Sequence, residues 1–129
     1  MTKAGLRTEL EAVVALEDTA EVVGSGDVPV LATPRLVALF EAATVRLLLG
    51  QLVAADTSVG THVEIDHLAA SPVGARVIVA AELTELDGRR ALFDVRATAP
   101  DGTLLATGKV RRAIVNRDTF MSRLADTST

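Results

Sequence analysis

Three residues in this chain, Glu41, His67 and Arg112, combine a reactive side chain with a position that ought to be buried, and a fourth, Thr33, stands at the start of a helix. Glu41 lies inside an apolar run from Leu36 through Val37, Leu39, Phe40, Ala42, Ala43, Val45, Leu47 and Leu48 to Leu49. A helix that is hydrophobic on nearly every side is buried rather than laid on a surface. A carboxylate there needs a charged or hydrogen-bonding partner, or it takes up a proton, and either state suits an acid, a base or a nucleophile. His67 is in period-2 register with Thr61, Val63 and Ile65, whereas His62 shares the opposite face with Glu64 and Asp66. Alternation therefore separates an interior imidazole from a solvent one. Arg112 is in register with Leu104, Ala106, Gly108, Val110 and Ile114, an inward cation on the last strand. Thr33 precedes Pro34 at the start of the helix, where its hydroxyl either caps the first turn or faces a substrate at the positive end of the dipole.

Each of these residues also has a plain structural reading. Glu41 and Arg112 can simply neutralise each other, His67 can be a packed, hydrogen-bonded core histidine, and Thr33 can be only a cap. Eight residues of ideal helix put Thr33 about 12 Å from Glu41. A site using both needs an irregular lead-in to the helix or a second subunit.

The elements that must position these residues follow from hydrophobic period and turn chemistry. Thr8 to Ala15 reads as a first strand, and Asp18 to Val30 as a connector with a mobile Gly24-Ser25-Gly26 turn and a short helical turn capped by Asp18-Thr19. The long helix runs from Pro34 to Leu49, with Thr33 as N-cap and Gly50 at the left-handed C′ position. Val59 to Leu68 alternates, Ser71-Pro72-Val73-Gly74 turns, and Val77, Val79, Ala81 and Leu83 mark the inner face of the next strand. Asp87-Gly88 and Asp101-Gly102 then signal hairpins on either side of a strand with Ala91, Phe93, Val95 and Ala97 inward. The last strand spans Thr103 to Val115, a short helix covers Asn116 to Leu124, and Ala125 to Thr129 should fray. The order is strand, buried helix, then four strands as an antiparallel meander. One small sheet cannot cover such a helix, so a symmetric dimer, or a dimer of dimers, is expected.

Composition narrows the function. A chain of 129 residues supports one domain over 1–129, with a core of about 5–120. With three Phe, no Tyr and no Trp, there are no platforms for stacking bases, and a net charge of −4 argues against nucleic acid. The absence of Cys removes disulfides, thiol nucleophiles and sulfur metal sites. There is no P-loop, no dinucleotide glycine motif and no histidine pair at metal-ligand spacing, so neither cofactor nor metal is expected. The start, Met1-Thr2-Lys3-Ala4-Gly5, has no apolar leader and no stretch reads as a membrane span, which points to the cytoplasm.

Four blocks carry a family resemblance. They are Leu31-Ala32-Thr33-Pro34 with Glu41-Ala42-Ala43; Val59-Gly60-Thr61-His62 with Asp66-His67-Leu68-Ala69-Ala70; Ser71-Pro72-Val73-Gly74; and Gly108 with Arg112-Ala113-Ile114-Val115. Together they resemble the fluoroacetyl-CoA thioesterase-like branch of the hotdog thioesterases. The Thr/Glu/His spacing of eight and then 26 residues is the most specific part. The resemblance implies an α+β hotdog fold (β-α-β-β-β-β), dimeric, in which a curved sheet wraps a central helix. It implies hydrolysis of an acyl-CoA thioester by Thr33, Glu41 and His67, with Gly60 and Arg112 contacting substrate. The chemistry fits: Glu41 activates water or attacks the carbonyl, an imidazole protonates the leaving thiolate, and backbone N–H groups near Gly60 and the helix start receive the oxyanion. The connector is shorter than in the fluoroacetyl-specific enzyme and has no aromatic residue, and the last strand keeps only the arginine in Lys109-Val110-Arg111-Arg112. A short or medium unactivated acyl group is therefore expected. Two alternatives remain: a hotdog hydratase, disfavoured because the acid lies on the helix and the histidine on a strand, and a non-catalytic acyl-CoA-binding or regulatory hotdog protein.

Overall fold

A computed structural model describes residues 5–127. Strand β1 (Arg7–Val13) is followed by one 3-10 turn (Leu16–Asp18), the short helix α1 (Ala20–Val23) and the long helix α2 (Thr33–Leu49). Strands β2 (Asp56–His67), β3 (Arg76–Asp87), β4 (Arg90–Thr98) and β5 (Leu104–Asn116) come next, and helix α3 (Arg117–Thr127) ends the described chain. All five strands form one antiparallel sheet in the order β1-β3-β4-β5-β2. Helix α2 touches every strand of it. This is the helix-in-a-curved-sheet arrangement the resemblance implied.

Only β3, β4 and β5 form a meander. The expected β2–β3 neighbourhood is not there: β2 lies at the far edge beside β5, and β1 takes the other edge beside β3. The reason is the Ser71-Pro72-Val73-Gly74 segment, which is a crossover rather than a hairpin. Pro72 bridges to Val30, and the Leu31 N–H donates to the Ser71 carbonyl at 2.8 Å. A tight turn from Pro72 to Ala75, with Gly74 at φ 91°, then delivers the chain to the opposite side of the sheet. The crossover is thereby stitched to the lead-in of α2.

The inner face is built as alternation demands. Val77, Val79, Ala81 and Leu83 on β3 and Ala91, Phe93, Val95 and Ala97 on β4 are buried against Leu36, Phe40, Ala43, Leu47 and Leu48 of α2. Each large side chain so buried contributes about 1.5–3 kcal/mol. The pairings carry three bulges, at Thr84, Leu105 and Thr61, and the last two change side-chain placement expected from alternation. Leu105 is an extra residue between Ala106↔Ala97 and Leu104↔Thr98, so Leu105 is buried and Leu104, expected inward, is exposed. Thr61 is likewise extra between Gly60↔Arg112 and His62↔Arg111; it leaves the inner face and donates its hydroxyl to the Arg111 carbonyl at 3.2 Å.

Helix ends differ by small but consequential amounts. Ala32, not Thr33, is the N-cap of α2, with extended φ −70° and ψ 138°, and no side chain caps the helix. Backbone bonds explain this: the Ala32 N–H donates to the Asp18 carbonyl at 2.9 Å, fixing the extended lead-in one residue early. Gly50 is right-handed at φ −78° rather than left-handed, and the helix closes with a turn through Gln51 N–H to the Leu48 carbonyl. Asn116 Oδ1 accepts from the Thr119 N–H at 3.0 Å and starts α3, which runs through Thr127, past the residues expected to fray at Ala125. Residues 1–4 and 128–129, on which the leader and the rest of the tail expectation fall, lie outside the described residues.

Candidate active site

The sequence-predicted residues fall into two clusters, one at the start of α2 and one at its middle. Relieved of capping, Thr33 places Oγ1 2.8 Å from His67 Nδ1. His67 is the last residue of β2, and the Leu68 N–H donates to the Leu105 carbonyl, which holds the strand end beneath the helix start. His67 Nε2 is buried and has no hydrogen-bond partner among the described residues. An unsatisfied buried polar atom costs about 1–3 kcal/mol, so this nitrogen is placed to meet something else. The pair sits at the end of a cleft of about 350 Å³ walled by the connector and by the Leu68–Ala70 segment.

The second cluster is Glu41, Arg112, Ser58 and Gly60. Arg112 Nη1 donates to Glu41 Oε2 at 3.3 Å, Nε to Ser58 Oγ at 2.9 Å and Nη2 to the Ser58 carbonyl at 3.2 Å. The Arg112 side chain is 7% exposed and Glu41 36%. The ion pair foreseen from sequence is therefore present, but it is long, and it leaves the carboxylate reachable from outside the chain. Burial pulls the Arg112 pKa below its usual value while Glu41 works against that, and a guanidinium remains a cation at neutral pH. A Cβ at Gly60 would collide with Glu41 Oε2. Glycine is what lets the helix carboxylate lie against β2.

Ser58 had escaped the sequence reading. Strict alternation puts Ser58 and Gly60 on the face opposite His67; the bulge at Thr61 resets the phase so that Ser58, Gly60, Val63, Ile65 and His67 all face inward. Gly108, part of the sequence signature, has a packing role: a Cβ there would collide with the Glu64 carbonyl oxygen of β2.

The two clusters do not meet within one chain. Helix α2 is regular from Thr33 to Leu49, so Thr33 and Glu41 stay about 12 Å apart along it. Between and beyond them α2 carries a stripe (Ala38, Ala42, Leu49) that the sheet leaves uncovered, with Leu49 69% exposed. Among the described residues no cluster of His, Asp or Glu is arranged to hold a metal, and no helix is long and apolar enough to cross a membrane.

Comparison with known proteins bears on the fold and the family. The chain is 35% identical to the fluoroacetyl-CoA thioesterase of Streptantibioticus cattleyicolor over 96 residues, which is 74% of this chain and 68% of that one. It is similar to a solved variant of a fluoroacetyl-CoA thioesterase in complex with acetyl-CoA, at 27% identity and TM-score 0.91, covering 98% of this chain and 99% of that one. A hot-dog-like protein from Thermanaerovibrio acidaminovorans matches at TM-score 0.91 and 22% identity, covering 98% and 93%, a likeness of fold alone. Residues 14–118 match the family model described as fluoroacetyl-CoA-specific thioesterase, and a match over that much of the chain, with the fold to go with it, means that this protein belongs to that family.

Proposed function

We propose that this protein hydrolyses a short- or medium-chain acyl-CoA thioester to the free acid and CoA, and that Thr33, Glu41 and His67 carry the reaction. The observation behind this is the Thr33–His67 pair at a helix N-terminus, with His67 Nε2 buried and unsatisfied at the end of an apolar cleft. A thioester carbonyl placed there meets the positive end of α2 and first-turn N–H groups that the helix leaves without acceptors. Glu41 acts as base toward water or as nucleophile. His67 returns the proton to the departing thiolate, so thioester plus water gives acid plus thiol. Gly60 contacts the substrate through its backbone beside Glu41, and Arg112 orients the carboxylate.

The 12 Å gap in one chain is closed by a second copy. Helix α2 packs on β2, and the uncovered α2 stripe and the unpaired edge of β2 are both relieved if two chains pack about a two-fold axis. Glu41 of one subunit then faces Thr33 and His67 of the other. The chemistry calls for no cofactor, and an acyl-CoA substrate supports a cytoplasmic location.

Subunit mixing tests both points. Glu41→Gln and His67→Ala proteins should each be inactive on acyl-CoAs, followed by thiol release. After joint refolding, hybrids carry one intact site of two, and activity should return to about a quarter of wild type. If no activity returns, the site does not span two subunits. If the wild type binds acyl-CoA without releasing thiol, the protein is a binder and the enzymatic reading is wrong.

A further inference from the structure

The cleft beside Thr33 and His67 has a composition that selects its ligand. Its polar side chains are Thr33, His67 and, at the connector turn, Ser25, while the rest of the wall is Ala20, Gly26, Val28, Val30, Leu31 and the Leu68–Ala70 segment. No lysine or arginine lines it, so it offers nothing to the phosphates of CoA, and no aromatic ring lines it, so it offers no face to adenine. The acyl part of the substrate is what remains. The volume is about 350 Å³, and at about 30 Å³ for a water-sized group it exceeds an acetyl group several-fold.

The connector turn, read from sequence as mobile, is hydrogen-bonded at its base. Its base is fixed where the Ala20 N–H donates to the Val30 carbonyl at 2.8 Å, and a Cβ on Gly26 would come within 3.2 Å of the Ala20 Cβ. The space is bounded chiefly by aliphatic side chains.

Building on the thioesterase reading above, we propose that this cleft is an acyl-chain subsite for an unactivated, saturated aliphatic acyl group of about four to eight carbons. Recognition is by apolar burial along the chain, not by any contact that distinguishes fluorine. The carbonyl lies at the Thr33–His67 end, and each added methylene runs along Val28, Val30 and Ala69 towards the connector turn.

Two measurements test it separately from catalysis. Calorimetry with S-alkyl-CoA thioethers, which cannot be hydrolysed, reads the subsite alone. Affinity should rise by about threefold to fourfold per methylene from S-ethyl-CoA upward, the gain for a buried CH₂, and then level off. Ala70→Phe, which fills the cleft from the β2 side, should lower the S-octyl to S-ethyl affinity ratio at least tenfold. Ser25→Leu, on the exposed connector turn, repeats the test where Ala70→Phe fails to fold. In parallel, kcat/KM for acetyl-, butanoyl-, hexanoyl-, octanoyl- and fluoroacetyl-CoA should peak among the four- to eight-carbon substrates. A thioether series with no dependence on length, or a fluoroacetyl-CoA value orders of magnitude above every aliphatic substrate, overturns the proposal. Absence of all turnover with a length-dependent thioether series would instead remove the thioesterase reading and leave the subsite standing.

Discussion

His67 and Glu41 are both half-finished within one chain, and in opposite ways. The imidazole has one nitrogen engaged at 2.8 Å and the other buried without a partner, while the carboxylate has a 3.3 Å ion pair and 36% exposure. A purely structural pair would be expected to bury its anion with its cation. Instead Arg112 is held from behind by Ser58, so that Glu41 is steadied while remaining available. Glu41→Gln keeps the shape but loses the charge, and kcat should fall by about 10²–10⁴-fold with the melting temperature little changed. His67→Ala should be as severe. Thr33→Ala should cost less, with Thr33→Ser recovering most of the loss, because the hydroxyl at 2.8 Å orients the ring rather than taking the proton. Comparable kcat in Glu41→Gln and wild type would leave the ion pair with a structural role only.

The decisive elements are a bulge and a lead-in. The Thr61 bulge turns Ser58 and Gly60 to the face that His67 occupies, and Gly60 makes room for the carboxylate. Gly60→Ala should fold, since β2 is an edge strand and the added methyl meets the end of a flexible side chain, yet lose most activity because it displaces Glu41 Oε2; circular dichroism and turnover measured together check this. The lead-in depends on Asp18, whose Oδ2 accepts from the Ala15 N–H at 2.9 Å and whose Oδ1 accepts from Arg35 Nε at 2.8 Å. The backbone N–H first, and Arg35 second, hold its carboxyl below the usual carboxylate range. A depressed folded pKa means stability that is present above the unfolded value of about 3.9 and is lost as pH falls through the folded one. Asp18→Ala should therefore destabilise by about 1–2 kcal/mol at pH 7. Melting curves recorded down the pH scale should converge with wild type below that window. A gap that persists at the lowest pH would mean the carboxylate charge is not what matters.

For the whole molecule, the two faces of the sheet have different fates. The outer face carries charges already paired across strands, Arg7 with Glu82 and Lys109 with Asp94, and such exposed pairs give little reason for another sheet to dock. The α2 stripe is uncovered, and β2, like β1 at the other end of the sheet, is an edge strand. Sedimentation should give twice the chain mass at micromolar concentration, and Ala42→Arg on the stripe should yield a folded, inactive monomer. A wild-type monomer at that concentration would remove the shared site.

Period and turn chemistry, properties of local sequence, determined the helix, each strand, both Gly hairpins and the chemistry-bearing residues Thr33, Glu41, His67 and Arg112. They did so because alternation and apolar helix faces are written one residue at a time. Tertiary structure decided what local sequence does not encode. The partner of β2 depends on where the Ser71–Gly74 crossover can pack against the α2 lead-in. The phase of Ser58 and Gly60 depends on an extra residue accommodated only once β5 is alongside. Thr33 serves histidine rather than the helix because a backbone bond from Ala32 to Asp18, 14 residues before it in the chain, made Ala32 the N-cap. One bulge and one hydrogen bond of long sequence separation brought these residue types into a candidate site.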